Sequence, residues 1–314
     1  MIECSKLTRR YGKTLALDHI DLHIGAGELH AFIGPNGAGK TTAMRILATL
    51  MRPTSGDAFV DGVSVTKNPQ RVRQLVGYMP DFFGVYDNLK AWEYLDLYAG
   101  CMGIGEKDRR RRIEELLELT ALSDKREAYV DGLSRGMKQR LCLAREMLHD
   151  PGLLILDEPA SGMDPRARSQ MQAILSEIGA MGKTVLISSH ILPELATVCT
   201  HATILERGRI RFCGSIGDLE ARMNAREALI IRLSGEADAK TATRVEDCVK
   251  ALLGVCPEHT QADAFRVACG EEQDAALLAA LVGADVPVCD FHRERVTLER
   301  VFMEVMQDET QSNL

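Results

Sequence analysis

The sequence predicts an α/β fold built around a parallel sheet, followed by a small α+β module. Three observations carry this. Leu153-Leu154-Ile155-Leu156 and Thr184-Val185-Leu186-Ile187-Ser188 are short, nearly continuous apolar runs, the texture of strands buried on both faces of a parallel sheet. Leu29-His30-Ala31-Phe32-Ile33 is a short strand that runs into a glycine-rich loop, and a helical segment, Thr41 to Leu50, follows before Pro53. From about residue 222 the pattern changes to short strands alternating with helices, and the charge balance changes with it.

The chain has 314 residues, of which 46% are hydrophobic and 26% charged, enough for more than one globular domain. Residues 222–314 hold 10 Lys+Arg and 17 Asp+Glu, a balance of −7, so residues 1–221 hold 28 of each and are neutral. Two domains are expected: 1–221, and an accessory or regulatory domain over 222–314. The charge argues against a nucleic-acid partner, which favours a basic surface. Nine cysteines, none in a C-x-x-C pair, argue against zinc and predict reduced, buried thiols in a cytosolic protein. The N-terminus shows no signal-peptide core, and no apolar run approaches the ~20 residues of a spanning helix. Work at a membrane would require a membrane partner.

The elements follow in order. Ala16 to Ile24 alternates as a half-buried strand and turns at Gly25-Ala26-Gly27. The stretch 88–146 is expected to be helical, with Arg110/Glu114 and Arg111/Glu115 as i,i+4 pairs on one face of Glu106–Leu119. Beyond 222, Ala228–Leu233, Ala264–Ala268 and Val286–Asp290 are expected as strands. Ala237–Leu253 and Glu271–Val282 are expected as helices between them, giving a β-α-β-α-β unit of ferredoxin-like character. Leu298–Met306 is expected as a final helix before a frayed polar tail, 307–314.

Gly34-Pro35-Asn36-Gly37-Ala38-Gly39-Lys40-Thr41 fits G-x-x-x-x-G-K-[ST]. Glycines let backbone N–H groups turn inward around phosphate oxygens, and the helix that follows aims its N-terminus at the same anion. Lys40 supplies charge for the β- and γ-phosphates of ATP, and the Thr41 hydroxyl suits Mg2+, with Thr42 beside it. A second strand ends in Asp157-Glu158: Asp157 is expected at the metal and Glu158 as the base that orients or deprotonates water.

With these residues in place the chain resembles the ATP-binding-cassette (ABC) ATPases over about residues 1–220. Leu133-Ser134-Arg135-Gly136-Met137-Lys138-Gln139-Arg140 is similar to the family signature L-S-G-G-Q, and its Ser134 lies 94 positions after Lys40. Arg135 and Met137 depart from that pattern. The resemblance implies a P-loop NTPase cassette with a helical subdomain, in which Ser134 and Gly136 touch the γ-phosphate of the nucleotide on an opposed second ATPase subunit. It implies that Tyr11 stacks on adenine, that Ser161-Gly162-Met163-Asp164 links the two sites, and that His190 senses the γ-phosphate. Gly77-Tyr78-Met79-Pro80-Asp81 is similar to the family's glutamine loop with Asp81 in the glutamine's place; as an oxygen ligand Asp81 can serve Mg2+ but cannot donate as the amide does.

Seven of the 15 aromatic residues fall within 78–98, and Phe82, Phe83, Val85 and Tyr86 are expected in part at the surface that receives the membrane permease subunit. A soluble ABC protein acting on ribosomes or DNA is disfavoured, because one phosphate loop is present and 94 positions leave no room for an inserted coiled coil. A binder that never hydrolyses is disfavoured by Glu158. The signature variant and Leu298-Glu299-Arg300-Val301-Phe302 are similar to the export-type subfamily with separate membrane subunits, an importer being the alternative. The implied location is the cytoplasm, peripheral at the inner face of the cell membrane.

Overall fold

The computed structural model describes residues 1–82, 84, 86, 88–190, 195–219 and 228–294. The chain divides into two units, one ending at Ile216 and the next beginning at Gly217. The boundary expected at 221/222, the residues Phe83 and Val85, the helix expected over Leu298–Met306 and the polar tail lie outside the described residues.

In the first unit, β1 (Ile2–Tyr11), β2 (Thr14–Ile24), β4 (Ser55–Val60) and β5 (Val63–Ser64) form an antiparallel sheet in the order β2-β1-β4-β5. A second sheet has the order β10-β9-β3-β8-β7-β6, built from β3 (Leu29–Ile33), β6 (Val76–Met79), β7 (Leu153–Leu156), β8 (Thr184–Ser189), β9 (His201–Glu206) and β10 (Arg209–Ser215). Its neighbours are parallel except β10, which closes one edge antiparallel to β9. All residues of β3, β7 and β8 are buried, which is why their sequences are mostly apolar rather than alternating, with His30, Thr184, Ser188 and Ser189 as buried polar exceptions. Helix α1 (Lys40–Leu47) buries Met44, Ile46 and Leu47 in a core that also takes Ile2, Leu7 and Leu17 from the antiparallel sheet and Phe32, Leu153 and Leu186 from the parallel one.

Helix α2 (Pro69–Leu75) leads into β6, and the helical region contains α3 (Ala91–Cys101), α4 (Glu106–Leu119) and α5 (Arg135–Glu146), with short 3-10 turns between α4 and α5. Helix α6 (Pro165–Ala180) connects β7 to β8 and starts at Pro165 behind an Asp164 side chain that accepts from the Ala167 N–H at 3.0 Å. On α4 the pairing differs from the expected register. Arg110 reaches back to Glu106 at 2.7 Å, leaving Glu114 to Arg126 from outside the helix, also at 2.7 Å; Arg111–Glu115 forms at 3.8 Å. An arginine has a carboxylate four residues away on each side here, and spacing alone cannot choose between them. Helix α1 stops at Leu47, three residues short of the expected end, and Thr49 then takes φ +60°.

The second unit has its own core, including Leu229, Ile231, Val245, Val249, Phe265, Val267, Leu277 and Leu281. Its elements are β11 (Ala228–Leu233), α7 (Ala239–Leu253), β12 (Glu258–Gln261), β13 (Ala264–Val267), α8 (Asp274–Gly283) and β14 (Val288–Glu294). The sheet is antiparallel in the order β12-β13-β11-β14, so the unit is β-α-β-β-α-β, one strand more than expected. The extra strand, β12, is exposed at every residue and has no apolar alternation to reveal it. The expectation of buried thiols is also corrected. Cys4, Cys142 and Cys199 are buried, whereas Cys101, Cys213, Cys256 and Cys289 are exposed; all nine are free. An apolar neighbour in sequence does not make a cysteine buried where the segment is a helix end or an edge strand.

Gly77 on β6 sits against α5, and a Cβ built on it would stand 2.6 Å from the Glu146 carbonyl oxygen and 2.8 Å from Leu154 Cδ2. Gly77→Ala is expected to destabilise the first unit by about 1–3 kcal/mol through overpacking. The check is the urea midpoint at constant m; an unchanged midpoint would show that β6 and α5 can part without cost.

Candidate functional site

The carboxyl ends of β3, β8 and β7 lie side by side, and the loops leaving them build one cradle. The loop after β3 needs its glycines. Gly37 and Gly39 have φ of +84° and +111°, and a Cβ on Gly34 would collide with the Leu205 carbonyl. The Ala38 N–H donates to the Pro35 carbonyl at 3.1 Å, closing the turn, and α1 begins at Lys40. Pro35, Asn36, Gly37, Ala38, Gly39, Lys40, Thr41 and Thr42 line a cavity of about 310 Å³ together with Ala16, Asp81 and Glu158.

The Lys40 side chain is buried, and its ammonium donates to the Gly34 carbonyl at 2.5 Å and the Pro35 carbonyl at 3.3 Å, with Glu158 Oε1 at 3.8 Å. Burial lowers its pKa, opposed by the charges of Glu158 and Asp157. Asp157 is 1% exposed. Its Oδ1 accepts from Thr41 Oγ1 at 3.2 Å and from Ser188 Oγ at 2.6 Å, so a hydroxyl from α1 and one from β8 converge on one carboxylate oxygen. Ser188 Oγ in turn accepts from the Glu158 N–H at 2.9 Å. Glu158 has φ +50°, a sparsely populated conformation for a non-glycine residue, which re-aims the chain at the strand end. Burial raises the Glu158 pKa above the ordinary 4.5, opposed by His190 and Lys40. His190 Nδ1 lies 3.2 and 3.1 Å from the two Glu158 oxygens. Glu158 also borders a second cavity, of about 250 Å³, with Ser161, Gly162, Met171 and His190 on its wall.

The structure therefore brings together Gly34 to Thr42, Asp81, Asp157, Glu158 and His190. It does not bring Tyr11, Ser134 or Gly136 into the same cavity. Tyr11 is 41% exposed at the end of β1; the Arg9 guanidinium lies 4.8 Å from its ring centre and its hydroxyl contacts Met51 Sδ at 2.8 Å. Ser134 is the exposed N-cap of α5 and accepts from the Met137 N–H at 3.3 Å. Gly136 is buried, and a Cβ on it would stand 3.0 Å from that of Ala167 on α6. Ser188 was not singled out by the motifs, although it bridges Asp157 to the Glu158 backbone. Its signal lay in register: Leu156 pairs with Ile187, so the residues that follow each, Asp157 and Ser188, meet at the strand ends.

The donor set suits a hard cation. Thr41 and Asp157 offer oxygens that already meet at 3.2 Å. No group of three or more His, Cys, Asp or Glu able to hold a metal occurs among the described residues.

The ABC transporter family profile matches residues 17–161. The chain is 33% identical over 305 residues to the daunorubicin/doxorubicin resistance ATP-binding protein DrrA of Streptomyces peucetius, covering 96% of this chain and 91% of that protein. It is 31% identical over 305 residues to the Nod factor export ATP-binding protein I of Cupriavidus pinatubonensis, covering 97% and 90%. Among solved structures, an ATP-binding subunit of an ABC transporter superposes with a TM-score of 0.64 at 31% identity, over 71% of this chain and 92% of that one.

Ser188→Ala is expected to leave the Asp157 Oδ1 and the Glu158 N–H each one partner short. The loss should be roughly 1–3 kcal/mol of stability, read from chemical denaturation, with a fall in ATP turnover beside it. Wild-type stability and turnover in Ser188→Ala would mean that the bridge does not hold the two carboxylates in place.

Proposed function

This chain belongs to the ATP-binding subunits of the ABC transporter family, and from that premise we propose that it works as one of two opposed ATPase subunits driving an exporter whose membrane-spanning part is a separate protein. The observation that carries the chemistry is the convergence of Thr41, Asp157, Ser188 and Glu158 beside the phosphate loop.

The loop N–H groups and the N-terminus of α1 receive the β- and γ-phosphates of ATP. Lys40 exchanges the Gly34 and Pro35 carbonyls for phosphate oxygens, which also draws its charge away from Glu158. Thr41 and Asp157 are the residues that would hold Mg2+, with Asp81 on the wall of the same cavity, and the ion would supply positive charge against the phosphates. Glu158, oriented by His190 and raised in pKa by burial, accepts the proton of the attacking water or aligns it. Ser134 and Gly136 of the second copy close over the γ-phosphate from the opposite side, and Tyr11 stacks on adenine with Arg9 on its other face. The names of the relatives, one for daunorubicin/doxorubicin resistance and one for Nod factor export, support outward transport. No helix among the described residues is long and apolar enough to cross a membrane, which fits a partner that spans it. Phe82 and Tyr86, 91% and 57% exposed, offer that partner an aromatic surface. The second unit is an accessory or regulatory module; every phosphate-site residue precedes it.

Glu158→Gln keeps the phosphate cradle and removes the proton acceptor, so hydrolysis should slow by about 10²–10⁴-fold while ATP binding persists. Trapped ATP should then hold two copies together, seen as an ATP-dependent shift in size-exclusion chromatography. A variant that stays monomeric at saturating ATP would rule out the opposed pair. Asp81→Gln removes a negative charge from the cavity wall and should keep hydrolysis while weakening the dependence of nucleotide affinity on Mg2+, because two anions repel unless a cation lies between them. Superimposable Mg2+ titrations of nucleotide binding for wild type and variant would exclude Asp81 from the metal's surroundings.

A further inference from the structure

Arg135 is one of the two residues by which the signature turn departs from its family pattern, and the structure gives it a specific neighbour. Its guanidinium lies directly over Gly162, and a Cβ built on Gly162 would stand 2.6 Å from the guanidinium carbon. Gly162 also has φ +67°, a conformation that favours glycine, and a side chain there would push the guanidinium aside. Arg135 is exposed, and no hydrogen bond or ion pair joins it to any described residue. It stands at the first position of α5, where the positive end of the helix dipole makes a cation unfavourable. Contact with Gly162 is thus what the structure offers in return for placing an arginine there.

Two further contacts run alongside. Gln139 Nε2 donates to the Ser161 carbonyl at 3.3 Å, and Gly136 packs against Ala167 on α6. The Ser161 N–H in turn donates to the Glu158 carbonyl at 3.0 Å. A short physical path therefore runs from Ser134, through Arg135 and Gln139 onto Ser161 and Gly162, and back to the strained backbone of Glu158. In the opposed pair Ser134 serves the other copy's nucleotide, while Glu158 serves its own.

We propose that Arg135 is a positioning residue that clasps Gly162, so that closure of the signature turn on the opposite nucleotide sets the placement of Glu158 in its own site. This rests on the opposed-pair arrangement proposed above. The planar guanidinium matters, since it can lie flat on a glycine where an ammonium cannot, so lysine should not replace it. Loosening the clasp should uncouple the two sites without emptying either.

The test is the steady-state ATPase rate against ATP concentration for wild type, Arg135→Ala, Arg135→Lys, Gly162→Ala and the Arg135→Ala/Gly162→Ala double variant, with single-site nucleotide affinity measured in parallel. Wild type should be cooperative, with a Hill coefficient approaching the limit of about 2 set by two sites. Arg135→Ala and Arg135→Lys should fall toward about 1 with kcat down by about tenfold and unchanged single-site affinity, which a mere loss of folding stability would not produce. Gly162→Ala should do the same by displacing the guanidinium, and the double variant should be no worse than Gly162→Ala, because the contact is already broken there and the strain at φ +67° is common to both. Wild-type cooperativity in Arg135→Ala, full rescue by lysine, or additive effects in the double variant would each overturn the clasp. Chromatography of Glu158→Gln with ATP separates the two levels. If it dimerises while Arg135→Ala behaves as wild type, the clasp alone fails; if it never dimerises, the opposed pair fails and takes the clasp with it.

Discussion

Lys40, Asp157 and Glu158 must sit close together in a mostly buried cradle without cancelling one another's use, and the rest of the first unit is arranged around that constraint. The sheet order solves it. β8 lies between β3 and β7, so the strand that brings Ser188 and His190 stands between the strand that leads to Lys40 and the one that ends in Asp157 and Glu158. Ser188 can then donate to Asp157 and accept from the Glu158 backbone at once. The carboxyl ends of parallel strands are where loops and helix N-termini gather, so the same topology that orders the carboxylates also points α1 at the incoming anion.

Within that cradle the charges hold one another through contacts that a nucleotide can replace. Lys40 rests on two loop carbonyls and stands 3.8 Å from Glu158, and burial acts on both in opposite senses, lowering the pKa of the lysine and raising that of the glutamate. Each effect moves its group toward neutrality, and each is opposed by the charge of the other. In the proposed function phosphate oxygens would take the ammonium, leaving Glu158 with His190, whose Nδ1 lies 3.1 Å away, as its near partner. The positive φ of Glu158 keeps the carboxylate turned toward the cavity rather than along the strand, a backbone cost of a kind that persists where the surroundings over-determine it.

What the sequence made legible follows from how each feature is encoded. β7 and β8 could be placed within a residue because strands buried on both faces are mostly apolar. The phosphate loop was legible because its glycines answer to φ and space at named positions, as Gly34, Gly37 and Gly39 show. β12 was not, because Glu258-His259-Thr260-Gln261 is an exposed edge whose place comes from pairing with β13, a tertiary fact. Ser188 was not, because a serine at a strand end has many uses and only the neighbouring strand decides among them. The ion pairs of α4 were half legible: spacing gave the candidates, and the presence of Arg126 near Glu114 made the choice. Tyr11 and Ser134 lie outside the phosphate cavity; in the proposed pair Ser134 would meet the other copy's nucleotide, while Tyr11 would meet the adenine of its own.

Helix α5 shows how one element can answer to several surfaces. Its N-terminal end carries Ser134, Arg135 and the close packing of Gly136 on α6; its C-terminal end carries Arg145 and Glu146, a mostly buried pair. Glu146 accepts from the Tyr78 N–H at 3.2 Å, three residues before Asp81. Arg145 donates to the Tyr94 hydroxyl at 2.8 Å and lies 4.9 Å from the ring centre of Tyr98, which neighbours the exposed Tyr86 at 6.5 Å. A buried ion pair is a weak source of stability, because desolvation costs about as much as the attraction returns. Its geometry is demanding, however, and here it fixes three things to one helix end: the strand that leads to Asp81, the aromatic core of α3 and the side of the exposed aromatic surface. Twelve helical residues span about 18 Å. A single rigid rod thus joins the signature turn to the loop that borders the phosphate cavity and to the aromatic patch, and a displacement at any one of them has to be accommodated at the other two.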